Sequence, residues 1–125
     1  MDSSCPILLV EDDIATREAM TLVLEAQGYE VSSAANGQEA LIQLRGGYRP
    51  ALILLDLMMP ILDGWGFRAR QQQDPALASI PVVLLTADTS IADRAAALGA
   101  ADYVLKPVEI EQMLVAIKHA LGTPA

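Results

Sequence analysis

The chain has one cysteine, Cys5, and one histidine, His119, among its 125 residues. A lone thiol closes no internal disulfide and builds no cysteine-based metal cluster. The imidazole has no second His or Cys to work with, so His119 is expected to be structural or solvated. With so little cysteine, the chain reads as intracellular, with a cytoplasmic location expected. Basic residues are also scarce: 8 Lys and Arg stand against 16 Asp and Glu, a net charge of -8. An acidic surface with no basic run repels a phosphate backbone, which argues against direct nucleic-acid binding and favours a small cationic metal or a basic protein surface. Long apolar runs are missing as well. Ile7-Leu8-Leu9-Val10 falls far short of the ~20 residues of a membrane span, and Met1-Asp2-Ser3-Ser4 carries no positive segment of a leader, so no membrane attachment is expected. No Walker-type loop is present and no G-x-G-x-x-G follows the first apolar run, which leaves nucleotide binding without a motif.

What remains is a globular composition, 53% apolar and 19% charged, at a length suited to one domain over residues 1–125. Its core is expected at about 5–121, with Gly122-Thr123-Pro124-Ala125 a tail or the start of a linker. Extended and helical signals alternate. Strands are expected at Ile7 to Val10, Glu30 to Ala34, Leu52 to Leu55, Val82 to Leu85 and Tyr103 to Leu105. All but the second are continuous apolar runs suited to burial on both faces, and the second, more polar, suits a sheet edge. Thr16, Ala19, Met20, Val23 and Leu24 recur at helical spacing before Gly28. A second helix packs through Ala40, Leu41 and Leu44 and stops at Gly46-Gly47. A third spans roughly Gly66 to Gln73 and ends at Asp74-Pro75. A fourth covers roughly Ile91 to Leu98, and a fifth uses Ile110, Met113, Leu114, Ile117 and Leu121. Five βα units in succession predict an α/β fold, a doubly wound parallel sheet with helices on both faces.

In such a sheet ligands gather beyond the carboxyl ends of the strands, where strand order reverses. Glu11, Asp12 and Asp13 follow strand 1, Asp56 ends strand 3, Thr86 follows strand 4 and Lys106 follows strand 5. Each has a plainer role available. The acidic triplet precedes a helix and could cap it, a role compatible with metal binding. Thr86 could serve a turn, and Lys106 could be a solvated charge. Asp56 resists such an account, because Pro60 and a loop separate it from the next helix. A carboxylate carried into apolar surroundings must be neutralised, paired or metal-bound. Oxygen ligands without His or Cys favour a hard cation, Mg²⁺ in particular. A carboxylate beside it can attack phosphorus to give an acyl phosphate, with the Lys106 ammonium binding phosphoryl oxygens. Asp56 is the expected nucleophile.

Four segments in order carry a family pattern: Leu8-Leu9-Val10-Glu11-Asp12-Asp13, Asp56-Leu57-Met58-Met59-Pro60-Ile61-Leu62-Asp63-Gly64, Leu85-Thr86-Ala87 and Tyr103-Val104-Leu105-Lys106-Pro107. Together they resemble the receiver domain of two-component response regulators over nearly the whole chain. The resemblance implies a flavodoxin-like sheet of order 2-1-3-4-5 with Asp56 as phosphoacceptor. It also implies Mg²⁺ held by Glu11, Asp12, Asp56 and the backbone carbonyl of Met58, with Lys106 on the phosphoryl group and a cis peptide before Pro107. Thr86 would swing toward a phosphoryl oxygen, and Tyr103 would turn inward into the space that opens. The implied output face combines the fourth helix, fifth strand and fifth helix. The implied donor is a histidine kinase or a histidine phosphotransfer protein, chosen by residues near the first helix, and a downstream protein or output domain would read the face. Dimerisation on phosphorylation is compatible with the family, although no exposed stripe diagnoses it.

The chain departs from the family pattern twice. Val108 stands where the family often has an aromatic, and Met58 offers only an apolar side chain near the path of a hydrolytic water, leaving the phosphoryl lifetime to access and to Asp88. Two other readings compete with the switch. A haloacid-dehalogenase-type phosphatase would need a second aspartate where Met58 stands, and a cap domain. A phosphorylation-dead interaction domain would have no need to keep mutually repelling carboxylates.

Overall fold

The computed structural model describes residues 5–59, 61–90 and 99–122. The apolar runs do become strands, and they alternate their side chains between two cores as a pleat requires. In β1 (Cys5–Val10), β3 (Leu52–Asp56) and β4 (Val82–Thr86), Leu8, Val10, Ile53, Leu55, Val82 and Leu84 face one cluster. Ile7, Leu9, Leu52, Leu54, Val83 and Leu85 face the other. No residue of β3 or β4 reaches the surface.

The first cluster is covered by α2 (Gly37–Arg45) through Ala40, Leu41 and Leu44, and by Phe67 of α3 (Gly64–Gln73). The second is covered by Met20 and Leu24 of α1 (Ile14–Ala26), and by Met113, Ala116 and Ile117 of α4 (Ile110–Ala120), the fifth helical segment of the sequence. The fourth expected helix, Ile91 to Leu98, lies outside the described residues, as does Pro60. The sheet is completed by β2 (Tyr29–Ala34) and β5 (Asp102–Leu105), in the order β2-β1-β3-β4-β5 with every pairing parallel. This is the flavodoxin-like, doubly wound order. The polar β2 is at an edge as expected. β5 occupies the other edge and buries only Val104, so continuous apolarity overstated its coverage.

The order reverses between β1 and β3, and the register aligns the strand ends there. Val10 pairs with Leu55, Asp56 with Leu85, and Thr86 with Leu105. Glu11, Asp56, Thr86 and Lys106 therefore emerge along one rim. The β3–α3 connection below the rim is packed tightly. Asp63 caps α3 by accepting from the Gly66 N–H at 2.8 Å, and the Gly64 N–H reaches the Leu57 carbonyl at 3.1 Å. A Cβ on Gly64 would sit 2.8 Å from the Asp56 carbonyl oxygen, so only glycine lets α3 start this close to β3. Leu62 is pinned from the other side, its carbonyl accepting from the Gly37 N–H at 3.1 Å.

With both ends of the loop fixed, Ile61 is forced to φ 69°, although its side chain is 83% exposed. A β-branched residue in the left-handed region costs about 1–2 kcal/mol. Glycine removes that strain but gains freedom in the unfolded chain. Ile61→Gly should therefore raise stability in urea unfolding by about 0.5–1 kcal/mol, and a loss of stability would show that the exposed side chain contributes more than its backbone costs.

Candidate functional site

Asp56 ends β3 at 2% exposure, and Glu11 follows β1 at 1%. Two carboxylates have therefore left water side by side, and the chain supplies partners for both. The Met58 N–H donates to Asp56 Oδ1 at 3.1 Å, and Lys106 Nζ lies 3.1 Å from Asp56 Oδ2. The same ammonium reaches Glu11 Oε1 at 3.3 Å, and the Asp13 N–H donates to Glu11 Oε2 at 3.2 Å. Glu11 is held through its backbone as well: its N–H donates to the Ala34 carbonyl at 3.1 Å, and its own carbonyl accepts from Arg17 Nη1 at 2.8 Å. Among the described residues no buried side-chain nitrogen or oxygen lacks a hydrogen-bond partner.

The acidic triplet divides its labour. Asp13 is the helix cap, accepting from the Thr16 N–H at 2.8 Å and the Thr16 hydroxyl at 2.6 Å, and these bonds hold its carboxyl below the ordinary range. Glu11 faces inward and Asp12 lies exposed. Carboxylate oxygens of Glu11, Asp12 and Asp56 lie within 4.8 Å of one another. An all-oxygen set, buried on two sides and open on the third, fits a hard divalent cation that keeps some of its water. Three carboxylates against one ammonium also leave two negative charges uncompensated when all are ionised, which is the charge such a cation carries.

Electrostatics record this crowding. Burial pushes Glu11 up to about 7 from 4.5, the Asp13 N–H opposes the rise, and the neighbouring Asp56 charge adds to it against the pull of Lys106. Burial alone would lower Lys106, but Asp56 and Glu11 outweigh it and its pKa rises. The ammonium is therefore held charged while Glu11 carries the frustration.

Thr86, at the end of β4, is buried with its hydroxyl turned to the following turn, where it accepts from the Asp88 N–H at 3.1 Å. Its carbonyl accepts from the Lys106 N–H at 2.8 Å, tying the lysine to the β4 rim. The peptide between Lys106 and Pro107 is cis, as the resemblance implied. Tyr103 lies on edge strand β5 with its ring exposed, beside a groove between β5 and α4 lined by Asp102, Leu105, Glu111 and Val115.

Two features escaped sequence reasoning. His119, read as structural or solvated, has a specific partner in Asp102 Oδ2 at 2.9 Å. In the polar run of α3, Arg68 and Gln71 are buried: Arg68 donates to Gln71 Oε1 at 2.7 Å and to the Gly99 carbonyl at 3.0 Å, and Gln71 donates to the Leu77 and Ile80 carbonyls. No periodic signal marks such residues, because their burial depends on which distant carbonyls they meet.

A group whose folded pKa is raised stabilises the fold below its unfolded value, and that contribution is lost as pH rises through the folded pKa. For Glu11 the loss runs from the ordinary 4.5 to about 7. In the presence of a chelator, urea-unfolding stability should fall as pH rises across that window, by on the order of 1–2 kcal/mol. Glu11→Gln should flatten the fall. An equally steep fall in the mutant would place its origin elsewhere.

Comparison with known proteins gives one answer at three levels. The family model described as "Response regulator receiver domain" matches residues 7–118. The "Probable transcriptional regulator ycf27" of Porphyra purpurea is 39% identical over 117 residues, covering 92% of this chain and 46% of that protein. An "Uncharacterized transcriptional regulatory protein YkoG" of Bacillus subtilis is 43% identical over 118 residues, covering 92% and 50%. The chain thus spans about half the length of the curated relatives it matches. Among solved structures, a putative response regulator from Chloroflexus aurantiacus superposes with TM-score 0.88 at 34% identity, covering 96% of this chain and 99% of that one. The chemotaxis response regulator CheY4 of Vibrio cholerae superposes with TM-score 0.87 at 29% identity, covering 94% and 99%.

Proposed function

Since the chain belongs to the response regulator receiver domain family of two-component systems, we propose that it is a phosphoryl-accepting switch with Asp56 as the acceptor and residues 1–125 as the receiver unit. The observation that carries this reading is the buried Glu11–Asp56 pair sharing Lys106, with Asp12 close enough to complete a cation site.

Glu11, Asp12, Asp56 and the Met58 carbonyl would hold Mg²⁺. Bound there, the ion supplies charge neutralisation to acceptor and phosphoryl oxygens. The remaining steps belong to the chain. A carboxylate oxygen of Asp56 attacks phosphorus of a donor phosphohistidine; the O–P bond forms, the P–N bond breaks, and its electron pair leaves on the imidazole, which takes up a proton. The Met58 N–H fixes the carboxylate's orientation, so little freedom is lost on reaching the transition state. Lys106, already charged and positioned, transfers its contact to the new phosphoryl oxygens and stabilises their charge.

The product then competes for the Thr86 hydroxyl, whose existing bond to the Asp88 N–H is neutral and replaceable. A hydrogen bond to an ionised oxygen is about twice as strong as a neutral one, and this favours rotation of Thr86 toward the phosphoryl group. Departure of that hydroxyl leaves room for Tyr103 to turn inward. The face that changes carries β5 and α4, the expected fourth helix lying outside the described residues, and it bears on a downstream protein or output domain, with phosphorylation-dependent pairing of two copies a further mode. A histidine kinase or histidine phosphotransfer protein is the donor, in the cytoplasm. The domain catalyses only its own phosphorylation and dephosphorylation. Among the described residues no helix is long and apolar enough to cross a membrane.

The test is direct: with Mg²⁺ and a small acyl phosphate or phosphoramidate, the protein should take up one acid-stable, base-labile phosphoryl group. Asp56→Asn should abolish the label, and a mutant labelled at the wild-type rate would overturn the assignment.

A further inference from the structure

Among the described residues Met58 is the methionine open to water, 75% exposed, whereas Met20 and Met113 are buried and Met59 is half-buried against the core. Its backbone, in contrast, is bound to the acceptor through the N–H on Asp56 Oδ1 at 3.1 Å. One residue thus roots an accessible thioether at the carboxylate that accepts the phosphoryl group. We propose that Met58 is a redox modification site: hydroperoxides convert it to the sulfoxide, and this shortens the life of the phosphoryl state on Asp56.

The proposal rests on the switch reading and adds a regulator to the same site. In the oxidation the sulfur lone pair attacks one peroxide oxygen, the S–O bond forms and the O–O bond breaks. Sulfur is oxidised by two electrons, and the departing oxygen leaves, protonated, as water or an alcohol. Methionine sulfoxide reductases reverse the change. A thioether is a weak hydrogen-bond acceptor and does little to hold water, whereas a sulfoxide oxygen is a strong one. Placed beside the acyl phosphate, it orders water where hydrolysis must begin. Orientation without proton abstraction should accelerate decay roughly three- to tenfold, well below the 10²–10⁴ of a full general base.

Cys5 is a poorer sensor on two counts. Burial pushes its thiol pKa up, leaving less reactive thiolate, and it starts β1 at the end of the sheet away from the acceptor.

The experiment treats the protein with dilute hydrogen peroxide, removes the excess with catalase, maps added oxygen by peptide mass spectrometry, and follows loss of label from Asp56 after loading with phosphoramidate and Mg²⁺. Met58 should gain oxygen well before Met20 and Met113, decay should quicken by the stated factor, and methionine sulfoxide reductases A and B together should restore the original rate. Met58→Gln, a polar side chain of similar length, should decay at the oxidised rate without peroxide, and Met58→Leu should lose the response to peroxide. Full oxidation with unchanged decay overturns the proposal, as does a response that survives in Met58→Leu, where Cys5 and Met59 remain. Failure of the unoxidised protein to take any label overturns the switch reading and this proposal together, whereas normal labelling with an unaltered lifetime overturns the proposal alone.

Discussion

Lys106 Nζ, at 3.1 Å from Asp56 and 3.3 Å from Glu11, is shared between two carboxylates that have left water. Burying a carboxylate costs several kcal/mol even after relaxation, and removing one member of a buried pair leaves the other charge exposed to the full penalty. A single ammonium cannot settle two such groups, and the strain appears in Glu11, whose pKa climbs to about 7. The rest of the molecule can be understood as holding these groups together despite that cost. The β1–β3–β4 core supplies the hydrophobic stabilisation, and the rim absorbs the electrostatic debt.

The parallel register is what makes the arrangement reproducible. Val10 beside Leu55 and Asp56 beside Leu85 fix where β1 and β3 end relative to each other and to β4. A one-residue slip would turn Asp56 to the other face of the sheet and bring Leu57 to the rim. Close packing beneath adds stiffness: Gly64 allows α3 to start against β3, and Leu62 is held by the α2 N-terminus. The site is built on strand ends and a pinned loop, the setting in which the proposed rearrangements at Thr86 and Tyr103 would follow a small change of charge.

Much of this was legible in the residues, for reasons that can be named. Buried parallel strands announce themselves as short apolar runs, and an ionisable group at the end of such a run is an energetic anomaly visible without coordinates; Asp56, Glu11 and Lys106 were found that way. Capping was legible only as an alternative for the triplet, because the assignment of Asp13 to Thr16 and of Glu11 to the interior depends on the direction in which the chain leaves β1. Apolarity misled at β5, where Tyr103 and Leu105 form an exposed edge. Least legible were the partners of Arg68 and His119, whose bonds reach residues 31 and 17 positions away. Hydrophobic periodicity carries no information about such pairings.

If the rim exists to receive a divalent cation, binding must relieve the strain stored in Glu11, and the proton that Glu11 retains must leave when the cation enters. Calorimetric titration of Mg²⁺ in buffers of different ionisation enthalpy counts that proton. Saturable one-to-one binding is expected, with proton release near pH ~6 that diminishes by about pH 8, and with binding lost in Asp56→Ala. Absence of saturable binding, or binding that persists unchanged in Asp56→Ala, would contradict the account.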